Sequence, residues 1–289
     1  MKELIVVSGK GGTGKTSIMA AFSSLAENKV LCDADVDAAD LHLLMNPSVI
    51  RRTDFQSGHT AEINREKCSG CGVCREMCRW EAISPDFEVN PIDCEGCGIC
   101  VHFCPEVAID FPENTCGEWF VSETRFGPLV HARLGIAEEN SGKLVTLVRQ
   151  EARKLAEARN LGLILTDGPP GVGCPVIASI GGATAIVIVT EPTVSGKHDM
   201  ERVAQLAAHF KIPAMICINK FDLNPEMTRD IEKNAERKGI PSLGKIPFDP
   251  IFTKAMIRAQ TVFEYNGASA VGEALRGTWQ RLVENLQLR

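Results

Sequence analysis

The sequence predicts an α/β fold: a mostly parallel sheet with helices on both faces, interrupted by a small cysteine-rich module. Three observations carry the prediction. Short β-branched apolar runs alternate with helical patterns along most of the 289 residues, as expected for strands buried on both sides. A glycine-rich turn, Gly9-Lys10-Gly11-Gly12-Thr13-Gly14-Lys15-Thr16, follows the first run and opens the first helix. Eight of the twelve cysteines fall between Cys68 and Cys104, where the alternation stops.

The expected strands are Leu4–Val7, Val30–Cys32, Leu163–Thr166, Ala185–Val189, Ala214–Ile218 and Ser242–Ile246. Helices are expected over Lys15–Glu27, Gly142–Arg159, Cys174–Ile180, Lys197–Phe210, Pro225–Lys238, Pro250–Ala259 and Ala268–Leu286. Between the second and third strands the chain turns rich in Cys, Gly and Pro and repeats itself. Cys68-Ser-Gly-Cys71-Gly-Val-Cys74, with Ala82-Ile83 after it, recurs 26 positions later as Cys94-Glu-Gly-Cys97-Gly-Ile-Cys100 with Ala108-Ile109. A twofold repeat of this kind is the signature of a small two-cluster ferredoxin. Sheet strands lie on both sides of it, so the expected order is a first part of the sheet domain (1–58), an insert (59–112) and a second part (113–289).

Charge is concentrated in the same place. Thr60–Pro112 holds ten acidic and four basic residues, which accounts for the chain's net charge of −6. An acidic module fits docking to a basic partner face and argues against nucleic acid as its ligand. Clustered cysteines point to metal use in a reducing compartment rather than a disulfide scaffold. Met1-Lys-Glu-Leu-Ile-Val-Val-Ser-Gly9 has no long apolar core, and no run approaches a membrane span. The expectation is a cytoplasmic protein.

The glycine-rich turn fits G-x-x-x-x-G-K-[ST] between a strand and a helix. Its backbone N–H groups and the helix N-terminus suit phosphate oxygens; Lys15 neutralises the β/γ oxygens, Thr16 ligates Mg2+, and Ser17 follows on the helix. Asp33-Ala-Asp35-Val-Asp37 and Asp167-Gly-Pro-Pro-Gly171 end strands beside this turn. Carboxylates there can hold the metal shell or orient water, and one acid in each run can instead cap the next helix, Asp37 being the first choice for that. Asn219 and Lys220 end another strand, where the amide suits a purine edge, and Pro247-Phe248-Asp249-Pro250 suits a second wall for the base.

GKGGTGKT, with its additional Lys10, resembles the deviant Walker A motif of the MinD/ParA family, relatives of the nitrogenase iron protein. The likeness covers nearly the whole chain. With the cysteine insert and the Asp167-Gly-Pro-Pro-Gly-Val-Gly-Cys-Pro175 run, it is similar to MinD-superfamily ATPases that contain an inserted ferredoxin. The resemblance implies ATP/ADP with Mg2+ and a nucleotide-sandwich homodimer in which Lys10 reaches the partner's phosphates. It further implies that Asp35 polarises the hydrolytic water and that Asp167 lies near Mg2+. The residues alone choose neither Asp35 over Asp33 nor a role for Lys10 in trans.

Two cysteine quartets spaced x2-x2-x3 select iron–sulfur chemistry over paired zinc ribbons. The fourth cysteine of each run lies too far along to close its own cluster. One [4Fe-4S] cluster is therefore assigned to Cys68, Cys71, Cys74 and Cys104, and the second to Cys94, Cys97, Cys100 and Cys78. The usual proline after the fourth cysteine is present at Pro105 and replaced by Arg79, which places a positive charge by the second cluster. Cys32 and Cys217 read as small core hydrophobes. Cys174 stands seven residues after Asp167, the offset of an interface cluster ligand in the nitrogenase iron protein; Cys116 is a candidate second ligand, and a plain helix-start cysteine is the alternative.

Leu275, Trp279, Leu282, Val283 and Leu286 share one helical face, read as a packed core helix rather than a membrane-targeting one. Lys197 and Arg202 have no dense basic patch around them. The preferred function is a dimeric ATPase that couples nucleotide turnover to electron transfer with a redox or scaffold partner. The alternatives are a MinD-type spatial organiser with redox-sensing clusters and a cluster-assembly carrier.

Overall fold

The computed structural model describes residues 1–135 and 141–287. Its strands are β1 (Lys2–Ser8), β2 (Lys29–Asp33), β3 (Ser48–His59), β4 (Glu62–Ile63), β5 (Ile109–Asp110), β6 (Glu113–Thr124), β7 (Gly127–Leu134), β8 (Leu163–Pro170), β9 (Ala185–Thr190), β10 (Ala214–Asn219) and β11 (Ser242–Ile246). The helices are α1 (Lys15–Leu25), α2 (Leu41–Met45), α3 (Val73–Met77), α4 (Ile99–His102), α5 (Ser141–Ala158), α6 (Cys174–Ile180), α7 (Val194–His209), α8 (Pro225–Arg237), α9 (Ile251–Ile257), α10 (Val262–Asn266) and α11 (Ala270–Leu286). These form two compact units. Met1–Thr53, Trp119–Arg133 and the chain from Ser141 onward make one; Asp54–Glu118 and the residues directly after Arg133 make the other.

The large sheet has the order β11-β10-β9-β1-β8-β2-β7-β6-β3. From β11 to β7 the recorded pairings are parallel. Side-chain alternation splits its core in two. Leu4, Val6, Leu31, Leu165, Val187 and Met215 pack against α1 and α11, whereas Ile5, Val7, Ile186, Ile188, Ile216 and Ile218 pack against α6, α7 and α8. Covered on both faces, the central strands read as unbroken apolar runs, which is why they were legible.

Three differences from the expected elements have local causes. A hairpin, β6 and β7 joined by Arg125 and Phe126, extends the sheet; its strands mix polar and aromatic residues and give no clean apolar run. A short helix not expected, α10, lies between the last two expected ones because Thr261 caps it in a capping box with Glu264, while the last expected helix is α11, capped by Ser269. Helix α7 begins at Val194, before Lys197, because Thr193 accepts the Gly196 amide.

The smaller unit repeats its own structure at the 26-residue offset of its sequence. Ile63 pairs with Ile109 and Val89 with Ile83, both antiparallel. The Asn64 amide donates to Ala108 O and the Asn90 amide to Ala82 O, each at 2.8 Å. Each half thus completes the other. Among the described residues no helix is long and apolar enough to cross a membrane.

Candidate functional site

Strand order brings the phosphate turn and the acids together. β1 lies between β9 and β8, and β8 between β1 and β2, so the carboxyl ends carrying Gly9, Asp167 and Asp33 are neighbours. The register pairs Asp167 with both Val6 and Asp33. There a cleft of about 330 Å³ opens, lined by Gly11–Ser17, Asp35, Asp40 and the apolar Leu43, Leu44 and Met256. Gly14 ends the turn at φ +85°, and a Cβ there would stand 2.4 Å from Asn219 Nδ2, so both backbone and space require glycine. Among the described residues Thr13 Oγ1 finds no hydrogen-bond partner in this wall although it is buried, an unmet donor suited to an anion.

Lys15 is buried, with Nζ 2.6 Å from Asp167 Oδ1 and 3.2 Å from Asp35 Oδ2. Burial works to discharge it, but Asp167, Asp35 and Asp33 outweigh that and hold its pKa above the ordinary lysine value. Thr16 Oγ1 donates to Asp167 Oδ2 at 2.7 Å, so both carboxylate oxygens are engaged by the turn. The neighbouring acids separate by role. Asp33, fully buried, accepts the Asp35 amide on Oδ1 and the Leu41 amide on Oδ2, each at 3.2 Å. It therefore holds the start of α2, the task expected of Asp37. Burial, then Asp167, pushes its carboxyl well above the usual range. Asp35 lines the cleft, and burial, partly offset by Lys15, raises it to about 6.

Lys10 lies folded onto its own chain, 2.5 Å from Glu191 Oε1 and 3.2 Å from Ser195 Oγ. Lys220 holds the other Glu191 oxygen at 3.1 Å and donates to Gly12 O at 3.0 Å. Burial opposes ionisation of Glu191, yet hydrogen bonds from Lys10 and Lys220 hold its pKa below the usual value. Asn219, expected at a purine edge, donates instead to Thr13 O at 2.7 Å and accepts the Lys220 amide at 3.0 Å, pinning the phosphate turn. Asp249 accepts the Ile251 amide at 2.8 Å and starts α9. Pro247, Asp249, Asn219 and Lys220 are not among the residues lining the cleft.

In the smaller unit the cysteines line two cavities. One is lined by Cys94, Cys97 and Cys100 with Cys78; the other by Cys68, Cys71 and Cys74 with Cys104. The fold thus brings together three cysteines of one run and the fourth of the other, twice. Gly72 and Gly98, both in the left-handed region, start α3 and α4 and so present Cys74 and Cys100 alike. Burial raises both of those thiols. Ala108 N donates to Cys104 Sγ at 3.3 Å. Among the described residues no three His, Cys, Asp or Glu gather as ligands of a single metal ion. Trp80 lines the first cavity, with the Arg79 guanidinium 6.0 Å over its ring.

The family model for the CobQ/CobB/MinD/ParA nucleotide binding domain matches residues 4–262. The chain belongs to that family. An uncharacterised protein of Methanocaldococcus jannaschii is 32% identical over 98% of this chain and 96% of its own. Among solved structures, the septum site-determining protein MinD of Pyrococcus horikoshii with Mg-ADP covers 97% of this chain and 95% of its own at 16% identity and a TM-score of 0.60. MinD in the MinC:MinD cell division complex of Aquifex aeolicus covers 98% and 96% at 17% identity, also at 0.60. At these identities the two structures show the fold alone.

For this MinD/ParA-type chain, several cleft residues escaped the sequence reading. Leu43 and Met256 are exposed and Leu44 is buried, all on short helices, and no motif marks them. Glu191 follows a buried strand as many turn acids do. Cys32 and Cys217 are fully buried, and burial pushes the Cys217 thiol up to about 12. Cys116 is buried, its thiol donating to Ser57 O at 2.8 Å, while Cys174 is exposed at the start of α6. Leu275 and Leu282 are fully buried, and Trp279 stands 5.3 Å from the Phe22 ring, so α11 is a core helix. Lys197 is spent on Asp230 at 2.7 Å.

Proposed function

We propose that this ATPase carries two [4Fe-4S] clusters and couples nucleotide-driven dimer switching to electron transfer with a partner protein. One observation carries the reading: two cavities, each walled by three cysteines of one run and the fourth of the other, in a chain that also builds a phosphate-binding cleft. A zinc site draws its thiolates to about 2.3 Å around one point, whereas a cubane needs them spread over its corners. Cavity walls suit the second demand. Cys68, Cys71, Cys74 and Cys104 would hold one cluster, and Cys78, Cys94, Cys97 and Cys100 the other. Bound there, the clusters supply one-electron chemistry.

At the nucleotide, the backbone of Gly11–Ser17 receives the phosphates, and Lys15 moves from its two carboxylates onto the β/γ oxygens. Thr16 and Asp167, already 2.7 Å apart, supply an oxygen pair for Mg2+, whose preference for few protein ligands fits so small a set. Asp35 orients water for attack on the γ-phosphorus; the bond to the bridging oxygen breaks, leaving ADP and phosphate. Asp33 is unavailable, both of its oxygens being taken by backbone amides. Lys10, released from Glu191, reaches the partner's phosphates. The acidic insert docks a basic redox partner.

Anaerobic preparations should contain about eight irons per chain and show reduced-cluster EPR signals. Partner proteins captured with a non-hydrolysable ATP analogue should be reduced in an ATP-dependent way. Lys15→Ala should abolish that reduction; an unchanged transfer rate would sink the coupling and leave an ATPase whose clusters only sense redox state. About sixteen irons per dimer are expected, and about twenty would bring Cys116 and Cys174 back as ligands of a bridging cluster.

A further inference from the structure

Arg125 sits at the tip of the β6–β7 hairpin, remote from every motif in the sequence, yet its guanidinium reaches both apolar walls of the nucleotide cleft. On one side its Nη1 donates to Met45 O at 2.8 Å and its Nη2 to Leu44 O at 2.7 Å, the carbonyls that end α2. On the other, a fork reaches Glu264, Nε at 2.5 Å and Nη2 at 2.9 Å. Ala259 O, just beyond α9, stands 2.9 Å from Nη2 and shares its two hydrogens with Leu44 O and Glu264. Helix α2 contributes Leu43 and Leu44 to the cleft, and α9 contributes Met256.

The same contact extends to the phosphate-binding helix. Glu264 closes the capping box of α10 with Thr261, and the Thr261 hydroxyl is 3.1 Å from Ser24 Oγ on α1. α2 has five residues and α9 seven, too short to hold a position by their own hydrogen bonds. A planar fork with five fixed donors suits the junction, because it binds a carboxylate and several carbonyls in one geometry. Lysine has the charge but not the fork.

We propose that Arg125 is a positioning residue for nucleotide binding: it ties α2 to the α9–α10 segment and so sets the spacing of the cleft walls opposite the phosphate turn. This rests on the ATPase reading of the cleft. Arg125 touches neither the phosphate turn nor the acids that orient water, so its loss acts on affinity more than on the chemical step.

The test compares full-length wild type with Arg125→Ala, Arg125→Lys and Glu264→Gln, measuring steady-state hydrolysis and equilibrium binding of Mg-ATP and Mg-ADP. Arg125→Ala should raise KM and both dissociation constants roughly tenfold, with kcat within about twofold. Arg125→Lys and Glu264→Gln should fall between it and wild type. A loss of active fraction and melting temperature with KM unchanged would mean a purely structural role and overturn the proposal. If Arg125→Ala does not fold, unchanged dissociation constants in Arg125→Lys and Glu264→Gln overturn it equally. Wild type that binds no nucleotide defeats the ATPase reading itself; wild type that binds while the variants match it defeats this proposal alone.

Discussion

Lys10 Nζ lies 2.5 Å from Glu191 Oε1 of its own chain, and Lys220 holds the second oxygen of the same carboxylate. The lysine that marks this family's phosphate turn is thus parked within the single chain, about one-third exposed. Releasing it costs an ion pair before it can act elsewhere.

That cost should be visible in assembly. Glu191→Gln keeps the shape and removes the charge, so an ATP-dependent dimer should form at about two- to fivefold lower protein concentration, the range expected for a partly exposed pair. Sedimentation velocity with a non-hydrolysable analogue measures it. A midpoint that stays put, or rises, means that Glu191 does not restrain Lys10.

Asp33 and Asp35 should separate in kinetics. Asp35→Asn should lower kcat at least about a hundredfold with nucleotide binding nearly unchanged. Asp33→Asn loses an acceptor to the Asp35 or Leu41 amide and should cost about 1–2 kcal/mol of stability, with kcat within a few-fold of wild type. Urea unfolding beside steady-state rates distinguishes the two; equal losses of kcat would contradict the assignment.

Cluster ligation across the runs has a double-mutant signature. Cys78→Ser should lower iron from about eight to about four per chain. Adding Cys97→Ser should remove little more, since both cysteines line one cavity, whereas adding Cys71→Ser should remove nearly all of the rest. The opposite pattern would show that each run closes its own cluster.

His131 supplies a pH dependence away from the cleft. It is buried between Phe120 and His42, stacked on both, and its Nε2 is 3.1 Å from Ser122 Oγ. Burial, aided by His42, lowers its pKa to about 4. Between that value and the ordinary 6.5 the unfolded chain binds the proton and the folded chain does not. Stability is therefore full above about pH 6.5 and lost as pH falls toward 4, by at most about 3 kcal/mol. Melting curves of wild type and His131→Gln across this range should converge at low pH; parallel curves would remove the assignment.

Much of this molecule is legible along the chain because its chemistry is local. A phosphate turn needs glycines and a lysine within eight residues, and buried parallel strands need consecutive apolar side chains. Cysteine spacing likewise limits which thiols can meet. Over Cys116–Arg133 the sequence points to a strand re-entering the sheet but not to a hairpin of β6 and β7, since Trp119, Arg125 and His131 take their partners from distant segments and share no period. The Asn219 contact is a related case: a turn-forming amide after a strand suits many acceptors, and only the packed structure offers it Thr13 O.

The sequence by itself determined the α/β architecture, the glycine-rich turn and the spacing of the two cysteine quartets, all properties of short-range pattern and spacing. Tertiary structure decided which acid faces the cleft, where Lys10 rests and what Arg125 holds. Those outcomes depend on strand order and on close approach of residues far apart in the chain. Asp33 and Asp35 differ by two positions along the chain, and only the neighbouring β8 and α2 give one to the backbone and the other to the cleft.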